Sequence, residues 1–236
     1  MIGLDPISLF SGAYMLVAAT ANACPAQGAV DVDVRLAKAD NAYISNLTSQ
    51  QLTKTYAADP DSTLATDGSW MVSGVTVVSG DGLKSSIKAE FKTQTNYTND
   101  TTCFTVSKVE YEIQYSPTIY IAADYKNMGC RYSATLAHEK RHVAQDVRTF
   151  TDFVPTFTSQ IKSYVEAMPA QGPYGNGDIP TAQHAILQQI SEAMKPSWEQ
   201  LMVVRRKRQG EIDTLQNYMR DTALCPGQFP KFDGMQ

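Results

Sequence analysis

Two of the three histidines in this chain stand four residues apart around a glutamate, within the stretch TLAHEKRHVAQD from Thr135 to Asp146. The order His138-Glu139-Lys140-Arg141-His142 is an HExxH pattern. On a helix, residues i and i+4 share a face one turn apart, so both imidazoles can reach one Zn2+ at about 2.0 to 2.1 Å. Glu139 then leans over the coordination position left open for water. Zinc lowers the pKa of its water toward about 7 and polarises a carbonyl, and a carboxylate takes the proton as the water attacks. His138 and His142 are therefore the expected metal ligands, Zn2+ the expected cofactor and Glu139 the expected catalytic base.

A helix carrying such a site needs one face for the core and another for the chemistry. Leu136, Val143, Val147 and Phe150 supply an apolar stripe, and at 100° per residue the two histidines fall on nearly the opposite side. A catalytic zinc normally has a third protein ligand, and the sequence leaves five candidates: His184, Glu166, Asp152, Glu211 and Asp213. Asp146 lies two turns from His138, too far for its short side chain to reach the metal, and is expected to orient His142 instead. Tyr125 and Tyr132, near the start of the helix, fit either an oxyanion donor or a packing role.

The chain has 236 residues, 43% of them apolar and 19% charged, enough to bury a core. Twenty basic against 24 acidic side chains give a net charge of -4, which provides no positive field for a phosphate backbone and excludes nucleic acid as an expected partner. The run Arg205-Arg206-Lys207-Arg208 spreads around a helix axis and reads as solvated surface. From Ile7 to Ala23 the chain is uncharged and ends in the A-x-A pattern Ala21-Asn22-Ala23, so residues 1–23 read as a signal peptide, although no Lys or Arg precedes Arg35. A secreted or periplasmic location follows, with membrane attachment only if Cys24 is lipidated. Four cysteines without a CxxC fit disulfides. The expected pairs are Cys24 with Cys225, tying the ends, and Cys103 with Cys130, fixing the motif helix to the sheet.

The elements that would position the site come in two blocks, so the expected class is α+β. A β-rich part, 24–126, forms a mostly antiparallel sheet, and a helical part, 127–236, follows. Val30, Val32 and Val34 alternate with aspartates, and Val109, Tyr111, Ile113 and Tyr115 alternate with polar residues. Met71–Val78 and Ile87–Phe91 read as a hairpin around Ser79-Gly80-Asp81-Gly82, and Asn41–Tyr56 as a short helix. Thr118–Ala122 reads as a strand, either interior or at an edge open to a peptide. Beyond Gly129 the period changes to about 3.6 and persists to Met219. Pro169, Gly172, Pro173, Gly175 and Gly177 interrupt it, predicting an antiparallel helical hairpin. An a/d register pairs Val147 with Val204, Val143 with Arg208, Lys140 with Glu211 and Leu136 with Leu215.

The motif and its setting resemble the zincin class of metallopeptidases and, more loosely, a family of predicted secreted bacterial zinc-dependent proteases. The looser resemblance covers Ile119 to His142, including Gly129-Cys130-Arg131-Tyr132, and the stretch Gln209 to Cys225 with Ile212-Asp213-Thr214. It implies metal ligation by His138 and His142 and a general base at Glu139. The chain departs from the metzincin pattern, with Gln145 where a Gly is expected and Arg148 where the third ligand is expected. Asp152 follows Thr149 at the aspzincin spacing, without the Gly that precedes that Thr. The expected function is an exported zinc-dependent peptidase acting on a peptide or protein substrate. Its alternative is a secreted or envelope-associated binding protein whose HExxH is structural or inactive.

Overall fold

The computed structural model describes residues 24–56, 71–78 and 82–228; the expected signal peptide and the turn residues 79–81 lie outside the described residues. The fold is α+β. In chain order it runs β1 (Asp31–Lys38), β2 (Ala42–Ile44), α1 (Ser49–Tyr56), β3 (Gly74–Val77), β4 (Leu83–Asn96), β5 (Thr101–Tyr115) and β6 (Thr118–Ile121). A 3-10 turn (Ala123–Tyr125) leads into α2 (Gly129–Glu166), then β7 (Gln171–Gly175), α3 (Ile179–Gly210) and α4 (Leu215–Ala223). No helix among the described residues is long and apolar enough to cross a membrane.

The strands form two sheets. One has the order β1-β5-β4, with β7 pairing antiparallel to β5; the other has the order β2-β6-β3. The expected mostly antiparallel sheet holds in part: β3 runs antiparallel to β6, with Val75 opposite Tyr120, but there are two sheets and one is mixed, β2 running parallel to β6 with Ala42 opposite Thr118. The expected hairpin between residues 71–78 and 87–91 does not form, because β3 pairs with β6 while β4 pairs with β5. Both segments alternate correctly, but alternation specifies a face and not a partner. Thr118–Ile121 is interior, flanked on both sides. Part of the Gly- and Pro-rich connection between the long helices becomes β7.

The described residues cluster into two compact units, one made of 24–33, 87–110 and 159–193 and the other of 34–56, 71–78, 82–86, 111–158 and 194–228. In the first, Phe104 is fully buried, stacked on Tyr174 and edge-on to Phe91. Gln27 brackets the backbone of Val106, donating to its carbonyl at 2.7 Å and accepting from its N–H at 2.9 Å. This lays the N-terminal segment along β5 and brings Cys24 to Cys103, where they form a disulfide. The second disulfide, in the other unit, joins Cys130 to Cys225. All four cysteines are bonded, but the expected pairs Cys24–Cys225 and Cys103–Cys130 are exchanged, because the first segment is laid along β5 and the C-terminal helix ends against the first turn of α2.

In the second unit, Leu52, Val72, Ala122 and Tyr125 form a small core around α1, β3 and β6. Tyr115 packs edge-on to Phe150, and Phe157 contacts both Tyr111 and Trp198. Here α2 and α3 lie antiparallel: Gln209 bonds His142, and Arg205 bonds Asp146 at 2.8 Å. These links keep the predicted register over that stretch. Beyond it the register ends, because α3 stops at Gly210 and Leu215 opens a new helix, 45% exposed. Lys140, expected to face Glu211 inside the seam, is exposed.

Candidate metal centre

The polar stripe of α2 is buried. His138, His142 and Asp146, spaced four apart, and Thr149 all have relative exposures of 8% or less. A polar face at helical spacing ordinarily faces water, so its burial requires partners for each group. Most of those partners come from the end of α3, the turn after it and α4, and Tyr115 on β5 adds one at Asp146.

Asp213 sits in that turn, immediately before α4. Thr214 caps the helix, its side chain accepting from the N–H of Asn217 at 3.3 Å, while the Asn217 carboxamide donates to the carbonyls of Glu211 and Ile212. The turn is thereby closed and the Asp213 carboxylate aimed at the histidines. Its Oδ1 lies 3.0 Å from Nε2 of His138 and 3.0 Å from Nε2 of His142, and the two Nε2 atoms are 3.1 Å apart.

The other ring nitrogens fix what those three atoms can do. Gln209 donates its Nε2 hydrogens to the His142 carbonyl (3.1 Å) and to Asp146 Oδ1 (2.5 Å), so its Oε1 must accept the N–H at His142 Nδ1. His138 Nδ1 lies 3.1 Å from Asp221 Oδ2, which also accepts from Arg141, and 2.9 Å from the Arg141 guanidinium; facing the carboxylate, it carries the proton in the metal-binding tautomer. With a proton on each Nδ1, both Nε2 atoms carry lone pairs and point at a carboxylate oxygen that only accepts. With His142 deprotonated, three acceptors converge with no hydrogen among them; protonated, His142 donates from Nε2 to Asp213 Oδ1. A tetrahedral ion with bonds of about 2.0 to 2.1 Å sets its ligands about 3.3 to 3.4 Å apart, close to the separations found. The donor set therefore fits a divalent metal, and His138, His142 and Asp213 are the described residues that could hold one.

Charge around the centre is consistent with that assignment. Burial alone would lower the His142 pKa, but hydrogen bonding to Asp213 and the charges of Glu139 and Asp213 push it up to about 9. A positive charge is stabilised at this position. Burial works against ionisation of Asp221, yet hydrogen bonds from Arg141 and His138 hold its carboxyl below the ordinary range. Tyr218 stacks on the His138 ring at 5.0 Å and donates to Asp213 Oδ1 at 3.0 Å; burial raises its pKa, so the hydroxyl keeps its proton.

Glu139 comes from the same turn of α2 and is 4% exposed. The Thr76 hydroxyl on β3 donates to its Oε2 at 2.9 Å. Burial raises the Glu139 pKa, against the opposing pull of His142 and His138. Gly74 makes the approach of β3 possible: a Cβ there would lie 2.7 Å from Thr135 Cγ2 and 3.0 Å from both Cγ and Oε1 of Glu139.

Of the five candidates for a third ligand, only Asp213 joins the histidines. Asp152 pairs with Arg208 at 2.7 Å, and Glu211 is exposed. Glu166 and His184 belong to the other unit, where Glu166 accepts from the N–H of Val30 and His184 bonds Gln188. Asp146 acts one step further away than expected. It accepts from Arg205, from the Tyr115 hydroxyl and from Gln209, and only Gln209 touches His142. Tyr125 is 3% exposed beneath the Arg131 guanidinium, a packing role. Sequence reasoning missed Gln209, Tyr218, Asp221, Thr76 and Gly74. The Thr214-x-x-Asn217 cap was a readable sign that a helix restarts beside Asp213; for Gly74 there was none. Compared with known proteins, the chain matches no family model, no curated protein and no solved structure.

Proposed function

We propose that this chain is an exported zinc-dependent peptidase hydrolysing a bond in a peptide or protein substrate. The observation that carries the reading is the convergence of His138 Nε2, His142 Nε2 and Asp213 Oδ1 within 3.1 Å of one another, three atoms that offer lone pairs once the rings are neutral, next in sequence to the buried Glu139 carboxylate. A structural zinc uses four protein ligands and a catalytic zinc three; three converge among the described residues. Bound there, Zn2+ supplies a Lewis acid for a scissile carbonyl and acidifies water at the open position toward a pKa of about 7.

The protein's own residues have separate roles. His138, His142 and Asp213 hold the ion, and Asp221 and Gln209 keep the two imidazoles in the tautomer that presents Nε2. Glu139, its carboxyl shifted upward by burial, takes the proton of the attacking water and passes it to the departing amine. Thr76 fixes the orientation of that carboxylate. Two disulfides support a protein matured in an oxidising compartment.

The rival reading, a secreted or envelope-associated binding protein, draws on the depth of the ligands, whose side chains are only 6% to 15% exposed. Digestion of a broad peptide library by wild type and Glu139→Gln, with and without chelator and alongside metal analysis, separates the two. Cleavage lost in both the variant and the chelated protein is expected. About one zinc per chain with no cleavage that Glu139→Gln abolishes would refute the peptidase and leave the binding protein.

A further inference from the structure

Asp213, Tyr218 and Asp221, which complete the centre on one side, all lie between the end of α3 at Gly210 and Cys225. Cys225 is bonded to Cys130, in the first turn of α2, about two turns before His138. The disulfide therefore joins the two chain segments whose side chains meet at the metal centre. The segment it holds is weak by itself. With nine residues α4 is shorter than the roughly 12 to 15 that make an isolated helix marginal in water. Its outer side leaves Leu215, Met219 and the adjoining Leu224 45%, 51% and 65% exposed. It is fastened by the inward contacts of Tyr218 and Asp221, by the disulfide at its C-terminal end and, just beyond, by Arg131, whose backbone N–H and guanidinium donate to Gln228 at 3.1 Å.

The two sulfurs differ in access. Cys225 is 2% exposed and Cys130 lies on the surface, so an external thiolate meets Cys130 first. The other disulfide, Cys24–Cys103, belongs to the other unit.

We propose that Cys130–Cys225 is a redox latch on the metal centre: its reduction by a dithiol frees the C-terminal end of the Asp213–Cys225 segment and weakens metal retention. The inference rests on the reading that the three converging atoms bind a metal. A thiolate of the dithiol attacks Cys130 Sγ; the S–S bond breaks, and its electron pair leaves on Cys225 Sγ, which takes a proton. The second thiolate of the reductant attacks the mixed disulfide and releases Cys130 as a thiol. Two electrons pass to the protein, and the dithiol ends as its own disulfide. Linkage makes the effect reciprocal, so bound metal must also make reduction of the latch less favourable.

The test uses the full chain. Zinc affinity, read by competition with a chromophoric chelator, is compared between the double variants Cys130→Ala/Cys225→Ala and Cys24→Ala/Cys103→Ala. The first is expected to bind at least tenfold more weakly than wild type, and the second within about twofold. If the first variant does not fold, wild type is reduced with tris(2-carboxyethyl)phosphine in the presence and absence of excess zinc, so that no added thiol strips the ion. Alkylation and peptide mapping then give the rate at each disulfide. Zinc is expected to slow cleavage of Cys130–Cys225 about tenfold and leave Cys24–Cys103 unchanged. Equal affinities of the two double variants, or equal rates with and without zinc, overturn the latch alone. A wild type that binds no zinc overturns the metal reading and the latch with it.

Discussion

Adding one methyl at Gly74 tests whether β3 and the HExxH helix approach as closely as their backbones indicate. The new Cβ would lie 2.7 Å from Thr135 Cγ2 and 3.0 Å from Glu139 Cγ, against the 3.5 to 4.0 Å or so of an ordinary carbon contact. The overlap with the Thr135 methyl is therefore about 1 Å. Neither neighbour can retreat easily: Thr135 and Glu139 are 6% and 4% exposed, and Glu139 is bonded to Thr76 on the same strand. Overpacking of this kind costs about 1 to 3 kcal/mol, and each kcal/mol lowers Tm by about 2 to 4 °C in a chain of this size. Gly74→Ala should thus melt roughly 2 to 12 °C below wild type. Zinc affinity, set by residues that Gly74 does not touch, should change by less than about threefold. Any peptide cleavage should fall far more, because displacing Glu139, the proposed base, by about 1 Å costs on the order of a hundredfold. Thr135→Ser removes the methyl that is struck and keeps the hydroxyl. In a double-mutant cycle it should offset part of the Gly74→Ala loss, with a coupling above about 0.5 kcal/mol. A Gly74→Ala protein as stable as wild type, or losses that simply add, would refute the close approach.

Three further outcomes follow from the same contacts. Asp146→Asn removes the buried carboxylate that Arg205 Nε meets at 2.8 Å and should cost about 3 to 5 kcal/mol in urea unfolding; a loss under 1 kcal/mol contradicts the buried pair. Asp221→Asn weakens the acceptor behind His138 Nδ1 and should lower zinc affinity about 10- to 100-fold by chelator competition, with unchanged affinity denying its role. Because the folded His142 pKa is raised to about 9, its contribution to metal-free stability is full below its unfolded value near 6.5 and is lost as pH rises through about 9. Zinc requires the deprotonated ring, so the gap in Tm between zinc-loaded and chelated protein should widen from pH 6.5 to 9 in a thermal melt, and a gap that narrows contradicts the shift.

What was legible in the sequence followed the range of the interaction that decides it. The alternation of Val109, Tyr111, Ile113 and Tyr115 gave their buried face, because strand period is a local property. The HExxH spacing placed both imidazoles together for the same reason. Partners chosen across the chain were not readable. Cys24 meets Cys103 because Gln27 follows β5, and β3 meets β6 because Gly74 tolerates a helix against it; neither fact has a local signature. The α2 to α3 register was partly legible, since it rests on a periodic seam, and it failed where Thr214 restarts a helix and turns the chain. The five candidates for a third ligand could not be reduced to Asp213 for that reason: the choice depends on where α3 ends, and a cap is a weaker signal than ten residues of period.

The histidines are held by two different elements, and this determines how the centre can respond to strain. His142 is fixed through Gln209 at the end of α3, with Asp146 and Arg205 behind it; His138 is fixed through Asp221 on α4, with Arg141 touching both. Asp213, in the turn between α3 and α4, contacts both Nε2 atoms. A movement of α4 about that turn therefore pulls on His138 and Asp213 together, while His142 stays with the α2 and α3 pair. The buried polar stripe of α2 then has a physical reason to be buried. Its groups need partners drawn from two further elements, and those partners close the centre only when the chain after Gly210 folds back onto the HExxH helix.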